Sequence, residues 1–428
     1  MEAALPRRET RRSFALNVFN GTLFNFAARL IDPPLVLTWF VSQLTSSNLL
    51  VGLVAPWGQA CWLLPQVFVS ARIQRMERKM PSYSLAAAIR VVAWLLLAAA
   101  VWFVDDPAIL LLSFFVLYGA AWGAGGLAGL TFFEVVAKTI PARRRGSLFA
   151  WRQFLGGLLG LGAGWIVKVV LNHSAMPFPR GHASLFLLYA VTIAPAMAAF
   201  VAIREPPGET MLQPPSLGKQ MRRALSVIQT DGVYRRYILA RLALGLAEVA
   251  LPFYGVYARR VLGAPEAMVG IYVATRVAAQ MLFNLPWGWL SDRKGNRIVM
   301  RLMSTGGGLA ALLGIALVAV VSRTQLQARW LPFLALPLFF LNGAVLPAKV
   351  LSGSNFLLEL VSESDRPLYL GLSNTLMGIS LLVSGLGGLV VDLLGFTGLF
   401  GLALALCLGA YVLATSLPET RTEARMEG

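Results

Sequence analysis

The chain has 428 residues, of which 57% are hydrophobic and 13% charged, against about a quarter charged in soluble proteins. At a mean hydropathy of +0.68 too little polar surface is left to enclose a water-soluble globule. A cytosolic enzyme, a disordered chain and a disulfide scaffold are all excluded. A net charge of +17 raises the question of nucleic acid. The basic residues, however, fall in short clusters between apolar stretches, the pattern that orients a membrane protein. Nucleic-acid binding is therefore not expected.

A membrane helix takes about 20 apolar residues, so the length holds about twelve spans. The basic start, MEAALPRRETRRS, leads into an apolar segment longer than a signal-peptide core and lacking a small-residue cleavage pattern, so a retained first span is expected. In chain order the apolar stretches predict helices at 14–42, 48–70, 82–104, 107–130, 148–171, 183–203, 237–258, 267–290, 298–322, 329–350, 369–391 and 395–417. Cys61 and Cys407 lie in apolar stretches without a thiol or metal-ligand neighbour, and His173 and His182 share one hydrophilic loop without acidic neighbours. Neither a metal nor a cofactor is expected.

With the N-terminus inside, twenty-five of the 37 Lys and Arg residues fall on inside segments and five on outside segments. That bias places both termini in the cytoplasm of a cell-membrane protein. Three parts follow: a six-helix bundle over 1–203, a cytoplasmic linker over 204–236, and a second six-helix bundle over 237–428. Within the linker, Leu217, Met221, Ala224, Leu225 and Ile228 recur at helical spacing opposite Lys219, Arg222 and Arg223. This predicts an amphipathic helix, lying on the anionic leaflet or packed on the protein.

The halves repeat. Setting Val51-Gly52 on Val269-Gly270 puts Pro34 on Pro252, Arg75 on Arg293 and Lys79 on Arg297, while a slightly larger shift puts Arg144 on Arg366 and Gly156 on Gly378. Duplicated six-helix units imply two bundles with a binding site between them near the bilayer midplane. The segment Gly288-Trp-Leu-Ser-Asp-Arg-Lys-Gly-Asn-Arg297, between the second and third spans of the second half, resembles the signature loop G-x-L-x-D-R-x-G-x-R/K of the major facilitator superfamily. The first-half copy, Arg72 to Lys79, is degenerate, with Gln74 in place of the Asp and Glu77 in place of the Gly. Asp32-Pro-Pro34 and Val51-Gly52 are similar to that superfamily's first two helices.

The resemblance implies an all-α integral membrane fold of two six-helix bundles, related by a pseudo-twofold axis along the membrane normal. It also implies a gating role for Gly288, Asp292, Arg293, Gly295 and Arg297, with Arg75 and Lys79 as weaker counterparts. Asp292 could cap a helix, Arg293 and Arg297 could pair with carboxylates, Gly288 could let helices approach closely, and Gly295 could make the tight turn. Two departures count against a drug–proton antiporter. The fourth span, Leu111 to Leu130, carries no charge, and the glycine run Gly156 to Gly164 lacks a proline.

A charge inside a span costs about 2.5–3.5 kcal/mol on insertion scales, so each one needs a reason. Arg29 and Asp32 sit three apart in the first span, Arg241 and Glu248 seven apart in the seventh, and Arg276 lies in the eighth. The resemblance puts the first and seventh spans along a central cavity, with their acids near it. Asp32 and Glu248 are candidate proton carriers, while Arg29, Arg241 and Arg276 could bind an anionic group or exchange partners with the acids. The plainer alternative is two internal ion pairs, Arg29–Asp32 and Arg241–Glu248. Glu134 and Arg152 could pair at an inner gate, Arg90 and Lys349 could snorkel inward, and Lys168 outward. Trp39, Trp57 and Tyr254 surround the acid-bearing regions as an aromatic lining or as interfacial anchors.

The expected protein is a monomeric secondary transporter moving a small solute by alternating access, with protons as the coupling ion the acids allow. Export of an amphiphilic or drug-like compound is preferred over metabolite uptake. A non-transporting sensor or lipid-handling accessory protein is the alternative from another class. No G-x-x-x-x-G-K-[ST] loop, paired-His zinc motif or G-x-S-x-G turn argues for ATP use or an enzyme. In a cysteine-free background, Arg222→Cys and Ala424→Cys should both react with an impermeant thiol reagent from the cytoplasmic side only. Labelling from opposite sides would overturn the topology.

Overall fold

The structure, a computed structural model, describes residues 6–207, 226–324, 329–361 and 366–419. Most of the expected linker helix and the site at Ala424 lie outside these residues. Among the described residues the chain is helical, without a strand. Nine of the helices there are long and apolar enough to cross a membrane.

The first span is broken. Helix α1 (Arg7–Leu30) stops short of Pro33-Pro34, a π-helical turn covers Pro33–Leu37, and α2 (Thr38–Leu44) completes the crossing. Two prolines supply no backbone donors, so the ladder cannot continue. The Asp32 carbonyl instead accepts from Leu35, Val36 and Leu37 at 3.1, 2.8 and 3.3 Å. Next come α3 (Asn48–Gln74), α4 (Met80–Phe103), α5 (Pro107–Thr139), α6 (Ala142–Leu171) and α7 (Arg180–Val201). Helix α5 starts where Asp106 Oδ1 accepts from Ala108 and Ile109 at 2.7 and 3.1 Å, with proline in the first turn, a favoured start signal.

The seventh span repeats the break of the first. Helix α8 (Gly232–Ala247), capped by Asp231, passes into a 3₁₀ turn over Glu248–Ala250, and α9 (Leu251–Arg260) resumes at Pro252. Helices α10 (Ala267–Lys294), α11 (Asn296–Thr324), α12 (Leu336–Leu360), α13 (Arg366–Ser384) and α14 (Gly387–Thr415) follow. The spans expected at 369–391 and 395–417 are divided differently. The chain breaks at 385–386 and turns again inside α14 at Gly395, whose φ of 66° is left-handed.

The chain divides into two compact units, and the division does not follow the two halves read from the sequence. One comprises Met1–Thr45, Trp57–Pro214 and Glu266–Ala274, and the other Ser46–Pro56, Pro215–Pro265 and Thr275–Gly428. The start of α3 thus belongs to the second unit and the start of α10 to the first. The repeated Val-Gly pair explains both placements. A Cβ on Gly270 would lie 2.3 Å from the Gly164 carbonyl oxygen, and one on Gly52 would lie 2.9 Å from that of Gly385. Backbone meets backbone there, and only hydrogen fits.

In the first unit, α1 packs on α6 and α7, and α4 packs on α5 and α7. Its interior is aromatic, with Phe40, Phe114, Tyr118, Trp94, Phe186 and Tyr189 all buried. In the second unit, α11 packs on α12 and α14, and α8 on α13 and α14. Tyr237 stacks on Phe356 there at 5.0 Å.

Helices α10 and α11 are joined by Gly295 alone, at φ +80°. A Cβ there would fall 1.8 Å from the Glu419 carboxylate. Left-handed backbone costs a non-glycine residue about 1–2 kcal/mol. Gly295→Ala should lower stability by at least that amount, read as a lower melting temperature of the purified protein, whereas Gly401→Ala, in open space, should be near neutral.

Candidate functional site

Each unit holds one acid at its helix break. In the first, Asp32 ends the interrupted helix, is 4% exposed, and lies 3.9 Å from Arg29 Nη1. The two are three residues apart, which puts them on one face. In the second, Glu248 opens the 3₁₀ turn and forms an ion pair with Lys349 of α12. The side chains of that pair keep 25% and 34% exposure. Glu248 and Asp32 occupy nearly corresponding places in the repeat, four and two residues before the matched prolines Pro252 and Pro34.

Several expected pairings are corrected. Arg241 does not pair with Glu248, because seven residues of helix separate them by about 10 Å along the axis. Arg241 donates instead to the Tyr237 hydroxyl at 3.3 Å and lies over its ring. Lys349 does not snorkel, since Glu248 holds it. Arg276 is 9% exposed in α10, with Gly343 packed against its backbone carbonyl. The aromatic lining is also revised. Trp39 and Tyr254 are buried at 2% and 3% exposure, Tyr254 stacked 5.1 Å from Phe400. Trp57 donates its indole N–H to the Phe115 carbonyl at 2.8 Å. Trp39 and Tyr254 pack the interior.

The Glu134–Arg152 gate pair does not form. Glu134 lies five residues before the end of α5 and Arg152 ten residues into α6, so their depths differ by about 7 Å. Glu134 accepts from Lys79 Nζ at 2.7 Å. Arg152 Nη1 donates to the Asn17 carbonyl, Asn17 Oδ1 and Asn20 Oδ1 at 2.7, 2.6 and 3.1 Å. Arg90, expected to snorkel, is buried, and its Nε and Nη2 donate to the Tyr189 hydroxyl at 3.0 and 2.7 Å.

At the basic end of the first unit, Glu205 follows α7 and sits on the start of α4. Its carboxylate accepts from the backbone N–H of Lys79 at 2.9 and 2.7 Å, from Met80 N–H at 2.7 Å and from Lys138 Nζ at 2.7 Å. An anion at a helix N-terminus is stabilised by the exposed amides and the dipole. Sequence reading missed Glu205. The available signal was an acid beside proline directly after the last span of a half, as in Glu205-Pro206 and Pro418-Glu419. Glu419 likewise lies at the Gly295 turn.

In the second-half loop Gly295 makes the turn the sequence suggested, and Ser291 Oγ donates to Asn296 Oδ1 across it at 2.7 Å. Arg297 donates to the carbonyl of Thr415, the last residue of α14, where the helix dipole favours a cation. Arg293 lies 5.1 Å over the Trp289 ring. Asp292 is exposed, and so is Arg75 of the first-half loop. Gly288 has open space where a Cβ would go, so close helix approach is not its use here.

Residues 237–427 match the family described as Major Facilitator Superfamily. No curated protein matches the sequence. Among solved structures the chain is similar to a D-xylose-proton symporter, at 14% identity and a TM-score of 0.72, over 96% of this chain and 98% of that one. It is similar to the nucleoside transporter NupG at 16% identity and TM-score 0.64, over 95% and 98%. A POT family transporter in complex with a thioalcohol-conjugated peptide shares 12% identity at TM-score 0.66, over 95% of each chain. The fold is that of multi-pass helical membrane proteins of the kind these transporters represent. The sequence match to that superfamily covers the second half of the chain, and the likeness in fold extends across the first.

Glu205→Gln removes a charge from a buried position where three donors converge. It should destabilise the protein by about 2–3 kcal/mol, whereas Glu9→Gln, in the exposed pair with Arg204, should cost under about 1 kcal/mol. Thermal unfolding of the two variants beside the wild type checks the ordering.

Proposed function

We propose that this chain is a proton-coupled secondary transporter of a small solute, acting as a monomer in the cell membrane with both termini in the cytoplasm. The observation that carries the reading is the recurrence of an ion-paired acid at each helix break, Asp32 with Arg29 and Glu248 with Lys349. A cation beside a carboxylate favours its ionised form, and loss of that partner in a poorly solvated place favours proton uptake. The Glu248–Lys349 pair is the stronger candidate, because both side chains retain solvent exposure and so a path for protons. The broken helices support the same view, since irregular backbone at membrane depth belongs beside protein or a watery cavity.

The positive-inside count supports the orientation. The proton symporter among the similar folds agrees with the coupling ion. Export of an amphiphile rested on an aromatic lining, and the burial of Trp39 and Tyr254 removes that support. The direction of transport is therefore left out of the proposal, and uptake of a polar metabolite stands beside export.

The test is reconstitution into liposomes with an imposed pH gradient, using xylose, a nucleoside and a dipeptide as first solutes. Glu248→Gln should abolish gradient-driven accumulation while solute counterflow without a gradient persists, and Asp32→Asn should do so less completely. Undiminished accumulation in both variants would overturn the coupling.

A further inference from the structure

Cations held inside the first unit follow a pattern with two exceptions. Lys79, 3% exposed, has Glu134, and the partly buried Lys138 has Glu205. Arg152 and Arg90, at 9% and 5% exposure, have no carboxylate within 4.0 Å among the described residues. Their acceptors are amide, carbonyl and phenol oxygens, which solvate a guanidinium without neutralising it. An unneutralised charge at membrane depth is costly and marks function more often than packing.

The surroundings are built for these groups. Asn17, Asn20 and Phe24 recur at i, i+3 and i+7, which is one stripe of α1. The first two bind Arg152, and Arg90 lies 5.0 Å over the Phe24 ring. Gly21, on the same stripe, leaves the space the Arg152 side chain fills, because a Cβ there would lie 2.4 Å from it. Arg152 also lies 4.6 Å over the Phe132 ring. Tyr83, two turns before Arg90 on α4, lies within electrostatic reach of both guanidinium groups. The three hydrogen bonds from Arg152 leave through Nη1, so its Nε and Nη2 keep donor capacity, and a guanidinium offers a planar fork matched to an oxyanion.

We infer that Arg152 and Arg90 form a subsite for the oxyanion head of a small aromatic organic anion, with the Phe132 and Phe24 rings beside its apolar part. This deepens the transport reading and names its substrate class. The neutral asparagines hold the guanidinium in the absence of anion and yield to it, since an oxyanion adds the attraction of opposite charges and a bidentate fit that an amide oxygen lacks.

The probes are benzoate and phenyl phosphate, with benzamide as the uncharged isostere of benzoate, titrated by calorimetry against the purified full chain. Saturable binding of at least one anion, with no binding of benzamide, is expected. Arg152→Gln and Arg90→Gln should each weaken it by at least about tenfold, and Arg152→Lys should restore part of it. If the glutamine variants fail to fold, Gly21→Ala, which displaces the Arg152 side chain, carries the same expectation. Equal binding of benzamide, no binding of either anion, or unchanged affinity in the folded variants would overturn the subsite. Counterflow of radiolabelled benzoate separates the two proposals: binding without counterflow keeps the subsite and removes transport, whereas counterflow of xylose or a nucleoside without anion binding does the reverse.

Discussion

Hydrocarbon offers nothing to hydrogen-bond, so every charge and every free backbone group within the spans must be satisfied by the protein itself. That constraint organises what is seen here. At Pro33-Pro34 the helix loses its donors, and the Asp32 carbonyl gathers three amides in their place. Just before Pro252 the same problem is solved by a 3₁₀ turn that leaves Glu248 facing Lys349. The acids of the first and seventh spans thus sit at the breaks of those spans. A break there leaves backbone groups to satisfy, and polar partners are at hand to do so.

Much of this was legible in the residues. The Val51-Gly52 and Val269-Gly270 pairs announced the repeat, whereas the breaks at Pro33-Pro34 and before Pro252 fall inside stretches read as single helices. The glycine of the second-half loop announced a turn that its left-handed φ bears out. These features are local: a missing donor, a missing side chain or a conformation open only to glycine acts within a few residues. Composition alone was enough for membrane residence and helical class.

Partner choice was not legible, for a physical reason. Spacing along a helix decides which residues share a face, but not how deep each lies relative to a residue on another helix. Glu134 and Arg152 have opposite charges and lie near one another in sequence, yet different depths send the first to Lys79 and the second to two asparagines. Lys349 takes the acid expected for Arg241, which turns to Tyr237, for the same reason. Arg90 looked free to reach the headgroups, and a tyrosine hydroxyl from α7 holds it in the interior instead. The segment boundaries at Ser46–Pro56 and Glu266–Ala274 were hidden too, because affiliation there follows from contacts between glycine backbones far apart in sequence.

Glu205 fastens the tail of α7 to the head of α4 and to Lys138 near the end of α5. A pull on the polypeptide leaving residue 207 is therefore not borne by α7 alone. It is shared across three rods at once, so the first unit resists peeling from its last helix, and tugging there turns the block as a solid piece.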